Sequence, residues 1–168
     1  MEDYIRNIPD FPKKGVEFKD ITPLLLNPEA REICLNLFLS YLKGHSVDKV
    51  VSIESRRFFF GILLAHKLEA GFIPIRKKGK LPFETLEETY NLEYGTGILE
   101  IHRDAINKGD KVLIHDDVLA TGGTALSACR LVERMGGEIV QVNFLLEIEN
   151  LRGAEKLLDY PVLSLMKF

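Results

Sequence analysis

Residues 111–124 have the sequence KVLIHDDVLATGGT, which predicts a buried strand, two adjacent carboxylates, a short Thr- and Gly-rich loop and the start of a helix. Gly122 and Gly123 lack a β-carbon, so the backbone there can turn tightly and bring its amides close to an anion. The N–H groups at the start of the following helix point to the same place. The segment therefore predicts a phosphate site, with Asp116 and Asp117 placed to accept hydrogen bonds from sugar hydroxyls. A phosphate beside a diol indicates a phosphorylated ribose.

A simpler interpretation of the same segment is a strand-to-helix connection capped by a Thr side chain. Gly-Gly-Thr alone would suffice for that. This interpretation leaves the two charged residues at the end of an apolar strand unexplained. The segment also lacks the glycine and lysine spacing of a P-loop and the three-glycine spacing of a dinucleotide-binding turn. We therefore favour the phosphate site.

The bulk composition is that of a folded enzyme-sized domain. The chain has 168 residues, of which 46% are hydrophobic and 28% charged, with a formal net charge of −3. That charge gives no general attraction to nucleic acid or to an anionic membrane. The apolar runs are too short to span a bilayer, and the acidic start at Glu2 and Asp3 is unlike a signal peptide. Cys34 and Cys129 lie in helical apolar patterns, which favours buried thiols and a reducing cytoplasm.

Strand and helix patterns alternate along the chain, which predicts an α/β fold with a parallel sheet and right-handed crossovers. Ligands in such sheets bind beyond the carboxyl ends of the strands, where Ser55-Arg56 and Asp116-Asp117 would fall. The predicted strands are 49–53, 72–75, 111–115, 138–148 and 161–166, and the predicted helices are 28–44, 58–68 and 125–135. We expect one domain over residues 1–168.

The pattern fails between residues 77 and 97, a polar stretch rich in Lys and Glu. A connection of this length in a compact domain is usually functional or disordered. We interpret it as a flexible loop that closes as a catalytic lid and excludes water from the reaction.

The acidic pair followed by Ala-Thr-Gly-Gly-Thr resembles the substrate loop of the type I phosphoribosyltransferases. Three more segments resemble the adenine-specific branch of that family, and together they cover nearly the whole chain. Residues 8–25, IPDFPKKGVEFKDITPLL, resemble its hood, for which we expect residues 1–27. Residues 53–56, IESR, followed by FFFG at 58–61, resemble its pyrophosphate loop. Residues 76–82, RKKGKLP, with LEYG at 92–95, resemble its lid.

The resemblance implies the type I fold, a central parallel sheet flanked by helices with a small hood, and a role for each matching residue. Phosphate and ribose would be bound by Asp116, Asp117, Ala120, Thr121, Gly122, Gly123 and Thr124. Pyrophosphate would be bound by Glu54, Ser55, Arg56, Arg76 and Lys80. Adenine would be bound by Glu17, Phe18, Lys19, Ala120 and Ile148. Catalysis would rest on Glu93, Asp116, Asp117 and Arg56. For the lysines of residues 77–80, a solvated charge run is an equal rival, and for Phe18 the rival is core packing.

The implied reaction is transfer of the 5-phosphoribosyl group from phosphoribosyl pyrophosphate to adenine, giving AMP and pyrophosphate in purine salvage. Positive charge develops on the ribose as pyrophosphate leaves, and the acidic pair would stabilise it. Glu93 would handle the proton of the purine. Mg²⁺ would bridge substrate oxygens with few or no direct protein ligands. A cytoplasmic homodimer without nucleic-acid or membrane partners is the family expectation.

Arg57 departs from the pattern, because the family usually has Gly after Glu-Ser-Arg. Its side chain could crowd the loop or force a different backbone shape, or it could supply a second anion contact. Two functional alternatives also stay open. One is a phosphoribosyltransferase for another base, and the other is a regulatory protein that senses phosphoribosyl pyrophosphate and binds nucleic acid.

Overall fold

The computed structural model describes residues 1–91 and 96–168. Its internal contacts divide the chain into two compact units, Met1–Tyr41 and Leu42–Phe168. The expectation of a single domain stays a prediction. Among the described residues, no helix combines the length and the apolar character needed to cross a bilayer.

The first unit contains a small hairpin and two helices. Strands β1 (Arg6–Ile8) and β2 (Phe18–Asp20) pair in antiparallel register, and helices α1 (Thr22–Leu26) and α2 (Pro28–Tyr41) follow. Asn27 caps α2, because its side-chain Oδ1 accepts the N–H of Ala30 at 3.0 Å. The hairpin and α1 were not predicted from periodicity, since strands of three residues are too short to display it.

The second unit is built on a seven-stranded sheet. Its strands are β3 (Lys49–Ile53), β4 (Gly71–Lys77), β5 (Thr85–Asn91), β6 (Thr96–His102), β7 (Lys111–Leu119), β8 (Glu138–Glu147) and β9 (Val162–Lys167), and its helices are α3 (Phe58–Lys67) and α4 (Gly123–Arg134). The spatial order is β5-β6-β4-β3-β7-β8-β9. The five strands from β4 to β9 in that order are parallel, whereas β6 pairs antiparallel with both β4 and β5. The expected central parallel sheet flanked by helices is confirmed.

The strand order reverses between β3 and β7. From β3 the chain crosses through α3 to β4 on one side, and from β7 it crosses through α4 to β8 on the other. Right-handed crossovers in opposite directions place the two helices on opposite faces of the sheet and leave a crevice at the carboxyl ends of β3 and β7. This crevice is where Glu54–Arg57 and Asp116–Thr124 meet.

The segment 77–97 differs from the loop that the sequence predicts. Residues Thr85–Asn91 form β5 and Thr96–His102 form β6, paired as a hairpin. The strands were missed because only Leu86 and Tyr90 of β5 pack inward as apolar residues, and the role of the segment as a catalytic lid stays a prediction. Between them Glu88 also turns inward, where Arg134 pairs with it at 2.7 Å, so the period-2 pattern does not show as hydrophobicity.

β7 is longer than predicted. It continues from His115 through Asp116 and Asp117 to Leu119, so the acidic pair lies within the strand rather than after it. Parallel pairing with β8 extends to Leu119 and maintains the extended backbone there. The side chain of His115 is wholly buried in this strand: burial lowers its pKa to about 4, and its Nδ1 contacts Asn143 Oδ1 at 2.7 Å.

Helix α3 lies close to the sheet because Gly61 has no side chain. A β-carbon at Gly61 would come within 2.1 Å of Ser52 Oγ on β3. We expect Gly61→Ala to lower the free energy of unfolding by about 1–3 kcal/mol, as overpacking in a filled core does. Chemical denaturation of the single variant measures this loss.

The matched control for this prediction is the double variant Ser52→Ala/Gly61→Ala, which removes the oxygen that the new methyl group would meet. The stability lost through Gly61→Ala should be smaller in the Ser52→Ala background than in the native protein. Additive losses would contradict the close packing of α3 on β3.

Candidate active site

The two carboxylates of β7 lie at the crevice and are almost wholly buried. The side chains of Asp116 and Asp117 are each 2% exposed. Asp116 Oδ1 accepts the backbone N–H of Val118 at 3.3 Å. Neither oxygen of Asp117 has a hydrogen-bond partner among residues 1–91 and 96–168. Burial, and then the neighbouring Asp116 carboxylate, raise the pKa of Asp117 to about 6.

Two arginines from the turn after β3 compensate this acidic pair. Arg56 Nε lies 3.1 Å from Asp117 Oδ2, and Arg57 Nε lies 3.3 Å from Asp117 Oδ1. Arg57 Nε also donates to Asp116 Oδ1, and its Nη1 donates to the carbonyl of Glu54 at 2.9 Å. Arg56 and the acidic pair thus lie together at the carboxyl ends of β3 and β7, and Arg57 contacts both carboxylates.

The backbone at Arg57 is ordinary. Its φ of −62° and ψ of −23° are right-handed helical values, so the position does not require a glycine. The idea that Arg57 forces an unusual backbone shape is thus not supported. The adjacent Glu54-Ser55 peptide bond is cis.

The loop between β7 and α4 has the form that the sequence predicts. Gly122, the residue before the helix, has a φ of +75°, and a β-carbon there would come within 2.3 Å of the carbonyl oxygen of Gly153. Both the conformation and the contact therefore favour glycine. No side chain among the described residues caps α4, so the Thr-capped connection is not what forms. The first N–H groups of the helix are left for a ligand.

A cavity opens above this loop. It measures about 60 Å³, which is smaller than most small-molecule sites, whose volumes run from roughly 300 to 1,000 Å³. Its walls are Arg57, Asp116, Val118, Leu119, Ala120, Thr121, Gly122, Thr124, Ala125 and Phe144. Ile148 adjoins the same edge, because its N–H donates to the carbonyl of Leu119 at 2.9 Å. Of the seven predicted phosphate and ribose residues, five line the cavity, and Asp117 and Gly123 do not.

The other predicted cations gather at Glu54. Its carboxylate accepts Arg76 Nε at 2.9 Å and Lys80 Nζ at 2.8 Å. Burial raises the pKa of Glu54. The hydrogen bonds from Lys80 and Arg76 outweigh this effect and bring the pKa below its ordinary value. Arg76 and Lys80 are about one third and one half exposed, so both can turn toward a ligand. For Lys80, a merely solvated charge run is no longer an adequate description.

Sequence reasoning missed Glu100, which shapes the turn that carries Lys80. Glu100 is 3% exposed, and its Oε1 accepts the N–H groups of Lys80 at 2.8 Å and Leu81 at 2.7 Å. Burial raises the pKa of Glu100, but the backbone hydrogen bonds of the turn carry it below the ordinary value. An acidic residue inside an otherwise apolar strand, GILEI, is the only signal in the sequence that could have drawn attention to it.

The predicted base-binding residues Glu17, Phe18 and Lys19 belong to the Met1–Tyr41 unit. Phe18 is half-buried, and its ring packs edge-on against Phe11 at 5.0 Å between centroids. Lys19 Nζ donates to Asn7 Oδ1 at 2.8 Å, and Glu17 is exposed. Their assignment to adenine stays a prediction. Glu93 lies outside the described residues, and so does the rest of the LEYG segment.

Comparison with known proteins identifies the class to which this fold and site belong. The family model for the phosphoribosyl transferase domain matches residues 24–165. The sheet, and the loop at the point where its strand order reverses, are therefore those of a phosphoribosyltransferase domain.

Individual relatives narrow this class. The chain is 61% identical to the adenine phosphoribosyltransferase of Christiangramia forsetii over 168 residues, which is 100% of this chain and 98% of that protein. The crystal structure of the adenine phosphoribosyltransferase of Rhodothermus marinus is 52% identical, with a TM-score of 0.96 over 99% of this chain and 96% of that one. The Saccharomyces cerevisiae enzyme, in complex with an imino-altritol bisphosphate and adenine, is 38% identical, with a TM-score of 0.93 over 97% and 94%. The chain belongs to the phosphoribosyltransferase family and, within it, to the adenine phosphoribosyltransferases.

The Glu100 contacts generate a prediction about stability and pH. Because its folded-state pKa is depressed, the Glu100 carboxylate stabilises the fold above the unfolded-state pKa of about 4.3, and this contribution is lost as the pH falls through the folded-state value. We expect Glu100→Gln to lower the free energy of unfolding by about 1–3 kcal/mol at pH 7 and to have little effect near pH 3. Urea titrations at the two pH values measure this.

The control for this prediction is Glu138→Gln, an exposed carboxylate paired with Lys111. It should change stability by less than about 1 kcal/mol at either pH. An equal loss for Glu100→Gln at both pH values would contradict an electrostatic role for the turn.

Proposed function

We propose that this protein transfers the 5-phosphoribosyl group of phosphoribosyl pyrophosphate to adenine, forming AMP and pyrophosphate for purine salvage. The observation that carries the proposal is the buried acidic pair beside an uncapped helix start at the switch point of the sheet. The end-to-end similarity to adenine phosphoribosyltransferases favours adenine over another base and an enzyme over a regulatory protein.

The acidic pair supports binding of the ribose. The oxygens of Asp117 are buried and form ion pairs with Arg56 and Arg57 but no hydrogen bond with the described residues, and ribose hydroxyl groups would supply such hydrogen bonds. Two carboxylates in a water-poor crevice also favour positive charge at the anomeric carbon as its bond to pyrophosphate breaks. The role of Asp116 and Asp117 is thus both to hold the sugar and to stabilise the transition state.

The loop Ala120–Thr124 supports binding of the 5-phosphate. Thr121 and Thr124 line the cavity and can donate their hydroxyl groups, and the uncapped N–H groups of α4 add backbone donors. Gly123 is the first residue of that helix. The phosphate would therefore be bound without any lysine or arginine in the loop itself.

The cations Arg56, Arg76 and Lys80, with the backbone of Glu54 and Ser55, are proposed to bind pyrophosphate. A divalent cation fits this arrangement as a companion of the substrate. The described residues contain no cluster of three metal-ligating side chains, and the acidic pair is already matched by two guanidinium groups. Mg²⁺ held mainly by pyrophosphate and ribose oxygens would neutralise charge on the leaving group.

The base contacts implied at Glu17, Phe18, Lys19, Ala120 and Ile148 stay predictions, and so does proton transfer by Glu93. We also propose a cytoplasmic homodimer that acts on small molecules and has no nucleic-acid or membrane partner. Backbone recognition at Glu17 and Lys19 would reject guanine and hypoxanthine, because their oxygen would face a carbonyl and leave buried polar groups unpaired.

The proposed activity predicts adenine-selective turnover. AMP formation is measured with phosphoribosyl pyrophosphate, Mg²⁺ and adenine, with hypoxanthine, guanine, xanthine and orotate in parallel. We expect adenine to be preferred by at least about 10³-fold in kcat/KM, the order that an unpaired buried polar contact can reach. Asp117→Asn should lose about 100-fold in kcat, whereas Arg103→Met, at an exposed residue on the turn after β6, should match the native protein. Preference for another base would refute the assignment.

The phosphate loop predicts a specific effect of Gly122→Ala. Positive φ and the carbonyl of Gly153 both oppose a methyl group there, so we expect the affinity for ribose 5-phosphate to fall by at least about tenfold, with a stability loss above about 1 kcal/mol. Calorimetric titration and thermal denaturation measure the two effects.

Gly109→Ala is the matched control. Gly109 has a φ of +88° but nothing within 4 Å of its would-be β-carbon, and it lies before the other end of β7. It should lose about 1–2 kcal/mol of stability and keep full affinity. Equal affinity of both variants would argue against a phosphate contact in the loop.

A further inference from the structure

Arg57 covers the acidic pair. Its Nε contacts both carboxylates, its Nη1 is anchored on the carbonyl of Glu54, and its side chain is 24% exposed while those of Asp116 and Asp117 are 2% exposed. Arg57 also forms part of the cavity wall beside the phosphate loop. Arg57 and Asp116 thus both line the cavity, and the guanidinium group lies against the acidic pair.

A ribose diol and this guanidinium group compete for the same carboxylates. Arg57 Nε contacts Asp116 Oδ1 and Asp117 Oδ1, two of the four carboxylate oxygens to which hydroxyl groups could donate. Both oxygens of Asp117 are shielded from solvent, so a sugar that binds the pair has to weaken the contacts that Arg57 makes there. Binding of the diol and pairing with Arg57 therefore oppose one another.

A displaced Arg57 side chain would lie beside the other predicted pyrophosphate-binding residues. Arg76 and Lys80 meet on Glu54, the residue whose carbonyl already anchors Arg57. In the free protein the carboxylates of Glu54, Asp116 and Asp117 offset these cations. When sugar hydroxyls take over the acidic pair, Arg57 loses its two carboxylate partners, and the region around Glu54 gains an unmatched positive charge.

We propose that Arg57 is a specificity-determining residue that exchanges between the acidic pair and the pyrophosphate of the substrate. A ligand with both a diol and a pyrophosphate displaces Arg57 and supplies it with new anionic partners. A ligand with the diol alone displaces it without replacement. Arg57 therefore weakens binding of ribose monophosphates, including the AMP product, relative to phosphoribosyl pyrophosphate. This inference rests on the proposed function in one respect, that the acidic pair binds the sugar.

The test compares the native protein with Arg57→Met, which keeps the length of the side chain but removes its charge and donors. Calorimetric titrations measure dissociation constants for ribose 5-phosphate and for phosphoribosyl pyrophosphate with Mg²⁺. We expect Arg57→Met to bind ribose 5-phosphate about tenfold more tightly, equivalent to about 1.4 kcal/mol. Its affinity for phosphoribosyl pyrophosphate should be unchanged or lower.

Arg57→Lys protects the test against loss of folding, because it retains a cation for the buried pair. A lysine lacks the fork that spans two carboxylates, so its affinity for ribose 5-phosphate should lie between those of the native protein and Arg57→Met. Arg103→Met, whose native Nε donates to the carbonyl of Thr85 at 3.1 Å, controls for loss of a positive charge elsewhere. It should bind both ligands like the native protein.

Two results would overturn the inference. If Arg57→Met weakens ribose 5-phosphate and phosphoribosyl pyrophosphate equally, Arg57 is a plain anion contact. If neither affinity changes, Arg57 only balances charge in the fold. Ribose 5-phosphate carries no base, so either result with normal AMP formation by the native protein would reject the role of Arg57 and leave the proposed function intact. Absence of AMP formation with retained binding of ribose 5-phosphate would reject the proposed function and leave the inference about Arg57 intact.

Discussion

β3 and β7 pair in parallel from Lys49 to Ser52, and this register sets the ends of the two strands side by side. The turn that follows β3 carries two arginines, and the end of β7 carries two aspartates. Neither set could be buried alone, because an uncompensated charge in a water-poor crevice is strongly unfavourable. Sheet pairing therefore makes the charged site possible, and the charged site in turn restricts which residues can follow the two strands.

The same principle extends along the crevice. Glu54 holds Arg76 and Lys80, and Glu100 holds the turn from which Lys80 extends. Each cation that is expected to meet an anionic substrate thus has an acidic partner in the free protein. Such partners keep flexible side chains in the crevice and reduce the ordering that binding requires. The substrate has only to replace contacts that already exist.

The local parts of this arrangement could be predicted from the sequence. Residues 111–124 contain an apolar run, an acidic pair and a glycine turn in immediate succession, and each has a meaning within a few residues. The long-range parts could not be predicted. Arg57 meets Asp116 across 59 residues of sequence, and nothing near Arg57 indicates a carboxylate partner. The hairpin of β5 and β6 was missed for a related reason, since Glu88 is acceptable inside only because Arg134 reaches it from α4.

The carboxylates of the crevice differ in one respect that bears on function. Glu54 and Glu100 are each surrounded by hydrogen-bond donors, which outweigh burial and lower their pKa values. Asp117 is buried as deeply, but the two guanidinium groups beside it, at 3.1 and 3.3 Å, form ion pairs without hydrogen-bond geometry, and its pKa rises to about 6. In a folded protein a buried carboxylate is normally satisfied, so one that is not marks a place where the donors come from elsewhere. Of these three acidic residues, Asp117 is the one whose partners the sugar would supply, because the other two are already satisfied by the chain itself.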